Sequence, residues 1–156
     1  MKEMRRQDRL LPEEEALRVL REAEYGVLST VTPEGIPYGV PINYALEGRS
    51  LYMHCASAGG QKLDNLARCP MACMTAVTGV ELHSADLSTA FRSAMAFGPV
   101  TVCEAPEEKR AGLRALLRRL APEYAGRDPA CMEDAPLQRV LVLRLDIQSV
   151  SGKLHL

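Results

Sequence analysis

Apolar positions recur along this chain at two periods, and the points where one period gives way to the other outline its elements. Over residues 13–24, Ala16, Leu17, Val19, Leu20 and Ala23 fall at helical spacing. Pro12 enters that segment, and Glu13, Glu14 and Glu15 fill its first turn, where acidic side chains complement the helix dipole. An amphipathic helix is predicted there. Residues 25–32 are rich in β-branched side chains and run into Pro33-Glu34-Gly35, which reads as a strand followed by a hairpin turn.

The clearest alternation lies over residues 36–46, where Ile36, Tyr38, Val40, Ile42, Tyr44 and Leu46 interleave with Pro37, Gly39, Pro41, Asn43 and Ala45. Pro37 and Pro41 share one parity, so both missing N–H groups lie on the same lateral side of the predicted strand. Continuous pairing on that side is excluded, which places the strand at a sheet edge or beside an opening. A flat ligand could reach the backbone at such an opening.

Residues 47–49 read as a turn and 50–55 as a strand. Ala58-Gly59-Gly60 then introduces a short helix through Lys62, Leu63, Leu66 and Ala67, ended by Pro70. A strand is predicted over 71–78, a loop carrying Glu81, His83, Ser84 and Asp86 over 79–90, and a long strand over 91–103 with Gly98-Pro99 as a bend or bulge. Pro106, Glu107 and Glu108 open a second amphipathic helix, whose stripe is Leu113, Leu116, Leu117 and Leu120 and whose arginines form a solvated face. A turn-rich connection over 121–136, a strand over 139–150 and a Gly152-Lys153 tail complete the chain. Six antiparallel strands with short connections predict a mainly β fold, a β-barrel with peripheral helices.

Composition narrows the functional classes. With 156 residues, 47% of them hydrophobic, the chain suits one domain spanning 1–156. A formal net charge of -1 lacks the basic excess of a nucleic-acid or anionic-membrane binder. The basic N-terminus is followed by no apolar signal region, and no apolar run is long enough to span a bilayer, so a cytoplasmic protein is expected. Cys55, Cys69, Cys73, Cys103 and Cys131 are odd in number and include no C-x-x-C pair, which predicts reduced thiols. Pro70 breaks any helical face shared by Cys69 and Cys73, and no second paired cluster completes a zinc site.

The candidate chemistry lies over residues 54–62, His54-Cys55-Ala56-Ser57-Ala58-Gly59-Gly60-Gln61-Lys62. Glycines there allow backbone N–H groups to approach an anion, the helix N-terminus is electropositive, and Lys62 adds a full charge. This is a phosphate-accepting pattern, although neither G-x-x-x-x-G-K-[ST] nor G-x-G-x-x-G is present. A hydrolase built on His54 or His83 would lack the G-x-S-x-G elbow.

Several segments together resemble the FMN-binding split barrels related to pyridoxamine 5'-phosphate oxidase, in their nitroimidazole-reductase branch. The likeness rests on Met4-Arg5-Arg6 with Asp8-Arg9, on Pro37-Tyr38-Gly39-Val40-Pro41-Ile42-Asn43, on residues 54–66, on Phe91-Arg92-Ser93 running to Gly98, and on Gly152-Lys153. It implies a six-stranded antiparallel split β-barrel that forms a homodimer and binds FMN across the dimer interface. The flavin would lie against Tyr38, Val40, Pro41, Ile42 and Asn43. Its phosphate would meet Lys62 with Gln61 or Ser57, and His54 and Ala56 would lie close by. Ser93 or Arg92 would contribute from a neighbouring strand, although alternation sets those two on opposite faces.

One residue more than the family pattern separates His54 from Lys62, so either Gly59 or Gly60 turns the loop. The chain has no tryptophan and ends Lys153-Leu154-His155-Leu156, without the arginine-rich close of the vitamin oxidases, which disfavours pyridoxamine phosphate as substrate. The resemblance implies an oxidoreductase that passes reducing equivalents from NADH or NADPH to a small acceptor such as a nitroaromatic. A flavin-storing or flavin-sensing module and a haem-binding split barrel are the alternatives.

Overall fold

The computed structural model describes residues 3–126 and 140–156. A 3-10 turn (Gln7–Arg9) and a two-residue strand, β1 (Leu10–Leu11), lead into α1 (Glu13–Glu22). Ala16, Val19 and Leu20 form its buried stripe. The last carbonyls of a helix have no partner within it, and here other elements supply one. The Tyr44 hydroxyl donates to Leu20 O at 2.7 Å, and the Arg119 guanidinium donates to Glu22 O at 3.2 Å and Ala23 O at 2.8 Å.

The remaining elements are β2 (Gly26–Val31), β3 (Pro37–Ile42), β4 (Tyr44–Glu47), β5 (Ser50–Ala56), α2 (Gln61–Arg68), β6 (Met71–His83), β7 (Ser88–Val102), α3 (Pro106–Leu120), β8 (Val140–Asp146) and β9 (Ser149–His155). All strand pairs are antiparallel, in the order β3-β2-β6-β7-β8-β5-β4, with β9 pairing both β7 and β1. The fold is a mostly β, antiparallel split barrel whose sheet does not close. The ends of its main path are β3 and β4, which are consecutive in sequence and part at Asn43, and β1 is the edge of the β9 branch.

β7 turns the sheet's corner. Phe91 to Phe97 pair with β9, whereas Val100 to Val102 pair with β8. Gly98 lies at the change of partner, and a Cβ built there would fall 1.8 Å from Asp146 O, so only glycine permits the approach. The barrel interior holds the main core, including Leu20, Leu28, Leu51, Met53, Met74, Leu143 and Leu145. α3 covers the outside of β4, β5 and β8 through Leu113, Ala115 and Leu116.

Nine strand segments occur among the described residues, against six expected. The predicted strand over 36–46 breaks at Asn43 into β3 and β4. The run over 139–150 and its tail become two strands, with Gly152 and Lys153 inside β9, where Gly152 pairs with Ala94 and Leu11. The turn between them is fixed by distant backbone, since Ile147 N–H donates to Arg49 O at 2.8 Å and Gln148 N–H to Phe97 O at 2.9 Å. The loop expected over 79–90 is instead a hairpin extending β6 and β7, with a register shift between Thr78 and Glu81. Val80 and Leu82 are exposed there, so no core-facing alternation announces those strand residues. Arg139, Cys131 and most of the predicted connection lie outside the described residues.

Tyr44→Phe should destabilise the protein by about 1 kcal/mol in urea unfolding, because Leu20 O loses its donor. Burial pushes the Tyr44 phenol above its ordinary value of 10.0, with Arg119 opposing. The folded chain therefore keeps this proton to higher pH than the unfolded chain. Its contribution is complete below about pH 10 and is lost as pH rises further. Stability measured from pH 8 to 11 should fall less steeply in Tyr44→Phe than in the wild type.

Candidate functional site

The geometry of β3 follows from its prolines. Thr32 N–H donates to Ile36 O at 2.9 Å, so these two form a hydrogen-bonded pair. Such pairs alternate along an antiparallel ladder. With Tyr38 opposite Thr30, Val40 opposite Leu28 and Ile42 opposite Gly26, the N–H groups of residues 38, 40 and 42 face β2. Those of 37, 39 and 41 would face the free edge, and two of these three are proline. The edge retains Gly39 N–H but cannot support a ladder, and β3 pairs with β2 alone.

β5 ends at the same opening. Its register against β4 pairs Tyr44 with Met53, so one further step sets Asn43 beside His54, where β3 has already left for β2. Both residues are exposed. The chain then passes through exposed Ala56, Ser57 and Ala58 to Gly59 and Gly60, whose φ values are +90° and +132°. Both glycines occupy backbone conformations that side chains resist, and a Cβ at either would meet nothing within 4 Å. The loop is thus open to a ligand.

α2 starts immediately afterwards, with Gly60 as N-cap and no side chain capping its N-terminus. Lys62 is half-buried in its first turn. Burial raises the Cys55 thiol, and the Lys62 ammonium offsets part of that effect, so the ammonium lies near the end of β5. An electropositive helix start, open glycine backbone, a hydroxyl at Ser57 and an ammonium form a donor set suited to a phosphate.

Behind this loop lies a polar connection that the sequence reading overlooked. Asn65 is 0% exposed, accepts a hydrogen bond from Gln61 Nε2 at 2.7 Å, and donates through Nδ2 to Thr30 Oγ1 at 2.9 Å. The Thr30 hydroxyl in turn donates to Tyr38 O at 3.4 Å. The opening of α2 is therefore linked through β2 to the backbone of β3. A polar pair at i, i+4, Gln61 and Asn65, on a helix that needs an apolar face was the available signal.

The predicted site residues divide into groups. His54, Ala56, Ser57, Gln61 and Lys62 follow one another along the end of β5, the glycine loop and the first turn of α2, with Asn43 beside His54. Val40 and Ile42 pack against the barrel core, and Tyr38 shares their face, whereas Pro41 is exposed on the opposite face. Ser93 pairs with Val77 and Lys153 on β7. That strand lies three spacings from β3, about 14 Å at the usual inter-strand distance. Ser93 is thus remote from the β3 edge along the sheet, and Arg92 is exposed on the other face.

Fold and site together define a split-barrel protein with an open, glycine-bent loop and a helix N-terminus following β5. The model of the pyridoxamine 5'-phosphate oxidase family matches residues 12–154, and the chain belongs to that family. Among solved structures, it is 28% identical to a candidate 5-nitroimidazole antibiotic resistance protein from Bacteroides thetaiotaomicron, covering 92% of this chain and 85% of that one with a TM-score of 0.75. A protein from Mycobacterium smegmatis that binds FAD and haem is also 28% identical, with 92% and 71% covered and a TM-score of 0.75. The flavocytochrome Anf3 from Azotobacter vinelandii shares the fold at 21% identity, with 99% and 72% covered and a TM-score of 0.79. A search of curated proteins gives no significant match. Among the described residues, no helix is long and apolar enough to cross a membrane, and no group of three or more His, Cys, Asp or Glu side chains could hold a metal ion.

Asn65→Ala should cost about 1–3 kcal/mol in chemical denaturation, because it removes the buried partner of both Thr30 and Gln61. Asp64→Ala, one position away on the exposed face, should stay within about 0.5 kcal/mol of the wild type.

Proposed function

We propose that this protein binds FMN at the barrel split and acts as an oxidoreductase, passing reducing equivalents from NADH or NADPH to a small acceptor such as a nitroaromatic. The observation that carries this reading is the open Gly59-Gly60 loop leading into Lys62, set beside a strand edge that proline prevents from pairing. Membership of the pyridoxamine 5'-phosphate oxidase family and the 28% identity to a protein named for binding FAD and haem support a flavin as occupant, and the 28% identity to a nitroimidazole resistance protein supports a nitroaromatic acceptor.

In this reading Lys62, Ser57 and the first N–H groups of α2 hold the phosphate. The β3 edge at Pro41 and Asn43 borders the ring, and His54 presents an imidazole to the same opening. A flavin, when bound, supplies two-electron uptake from a reduced nicotinamide and delivery to an acceptor. The protein contributes position, charge and exclusion of water, and no side chain is required as a dedicated acid or base.

A homodimer belongs to the same proposal. Met71, Val77 and Met95 stand 41–47% exposed on the outer face of the sheet formed by β2, β6, β7 and β9. A second copy would cover this apolar face, and would also bring its own Ser93 and Lys153 towards a split they do not reach within one chain.

Purified protein should carry or take up FMN, quench its fluorescence on binding, and oxidise NADH or NADPH in the presence of a nitroaromatic. A yellow protein inert with every acceptor would reduce the proposal to flavin storage or sensing, and a Soret band would redirect it to haem. Lys62→Ala should weaken FMN binding about 10–100-fold, the loss expected for a hydrogen bond to a charged group, while riboflavin affinity stays unchanged. Equal affinity of wild type and variant for FMN would remove Lys62 from the site.

A further inference from the structure

Asn65 and Thr30 are the buried polar side chains of the described core, at 0% and 5% exposure, and they are bonded to each other. Burying such a pair beneath an eight-residue helix is not the most stable solution available. An apolar pair of the same shape would pack there without any demand for hydrogen-bond geometry, and replacing both partners of a buried hydrogen bond together is often neutral or stabilising. The pair does, however, tie α2 to β2, which no ladder joins, at the residue whose ladder partner on β3 is Tyr38. Asn65 Oδ1 holds the Gln61 amide at the first residue of α2, Asn65 Nδ2 reaches Thr30 Oγ1, and the Thr30 hydroxyl meets the backbone of β3 at Tyr38. Since β3 is laddered to β2, the spacing between its edge and the loop that opens α2 depends on how α2 is held against β2, and Asn65–Thr30 is a polar contact between them.

We infer that Asn65 and Thr30 are positioning residues, which hold the phosphate loop in register with the β3 edge and so give the site its preference for a phosphorylated flavin over the bare nucleoside-like ring system. The inference rests on the flavin reading above and concerns how that site selects its ligand. Asn65 acts through Gln61 and the helix opening, Thr30 through the β3 carbonyl, and neither needs to touch the ligand. A binding pocket whose donors are fixed beforehand loses less freedom on binding, which raises affinity for the group those donors face. The effect should therefore fall on the phosphate and leave the ring largely unaffected.

The test uses the double variant Thr30→Val/Asn65→Leu, which keeps volume and removes both polar groups, together with Thr30→Val alone in case the double variant does not fold. Affinities for FMN and riboflavin are measured by fluorescence quenching, and thermal unfolding is followed without ligand. The wild type should prefer FMN. The double variant should unfold at or above the wild-type temperature, yet its FMN-to-riboflavin affinity ratio should fall about tenfold, with Thr30→Val giving a smaller fall. A merely structural pair would change the melting temperature or both affinities together and leave the ratio intact. An unchanged ratio in a folded variant overturns the inference while the flavin reading stands. A wild type that binds neither FMN nor riboflavin overturns the flavin reading, and this inference with it.

Discussion

The missing N–H groups of Pro37 and Pro41 set the terms for the whole molecule. Both prolines point to the same side of β3, and with residues 36, 38, 40 and 42 committed to β2, the other side has no ladder to offer. Here the two ends, β3 and β4, remain apart although a single residue, Asn43, separates them in the chain. With one residue between them, β3 and β4 cannot form a hairpin, and the two prolines keep the outer side of β3 from taking another strand in their place.

What fills the neighbourhood of the split follows from the same constraint. β5 and β4 continue their pairing up to Tyr44 and Met53, and beyond that point the chain on the β5 side turns through Ser57 and two glycines into α2. α2 packs towards β2, and its buried Asn65 reaches Thr30 by hydrogen bonding rather than by apolar contact alone. The region is thus open in its backbone, electropositive at the helix start, and tied to β3 by side chains.

Support for the split comes from well away from it. Gly98 allows the β8–β9 turn to press against β7, so that β7 can serve β9 with one half and β8 with the other. Tyr44, the first residue after the break, closes the end of α1 with its hydroxyl, and Arg119 from α3 does the same for the next carbonyls. Arg144 on β8 meets the Glu108 carboxylate of α3, fastening that helix over the second half of the sheet. These contacts hold β4 and β5 firmly on one side of the opening while β3 stays with β2 on the other.

Local chemistry made much of this legible in the sequence. The stripe Ala16-Val19-Leu20, the glycine-opened helix after Ser57, and the shared parity of the two prolines are properties of neighbouring residues, and they determined α1, the open loop before α2 and the unpairable edge. Tertiary structure decided what depends on distant partners. Asn43 breaks a strand whose alternation is unbroken, because the halves belong to opposite ends of a sheet. Ile147 and Gln148 divide the last strand run because Arg49 and Phe97 accept their N–H groups. Residues 79–90 extend a hairpin whose exposed faces carry no periodic signal. Asn65 looked like one more polar residue on a short helix, and its burial against Thr30, 35 positions earlier, became visible only when the fold brought them together.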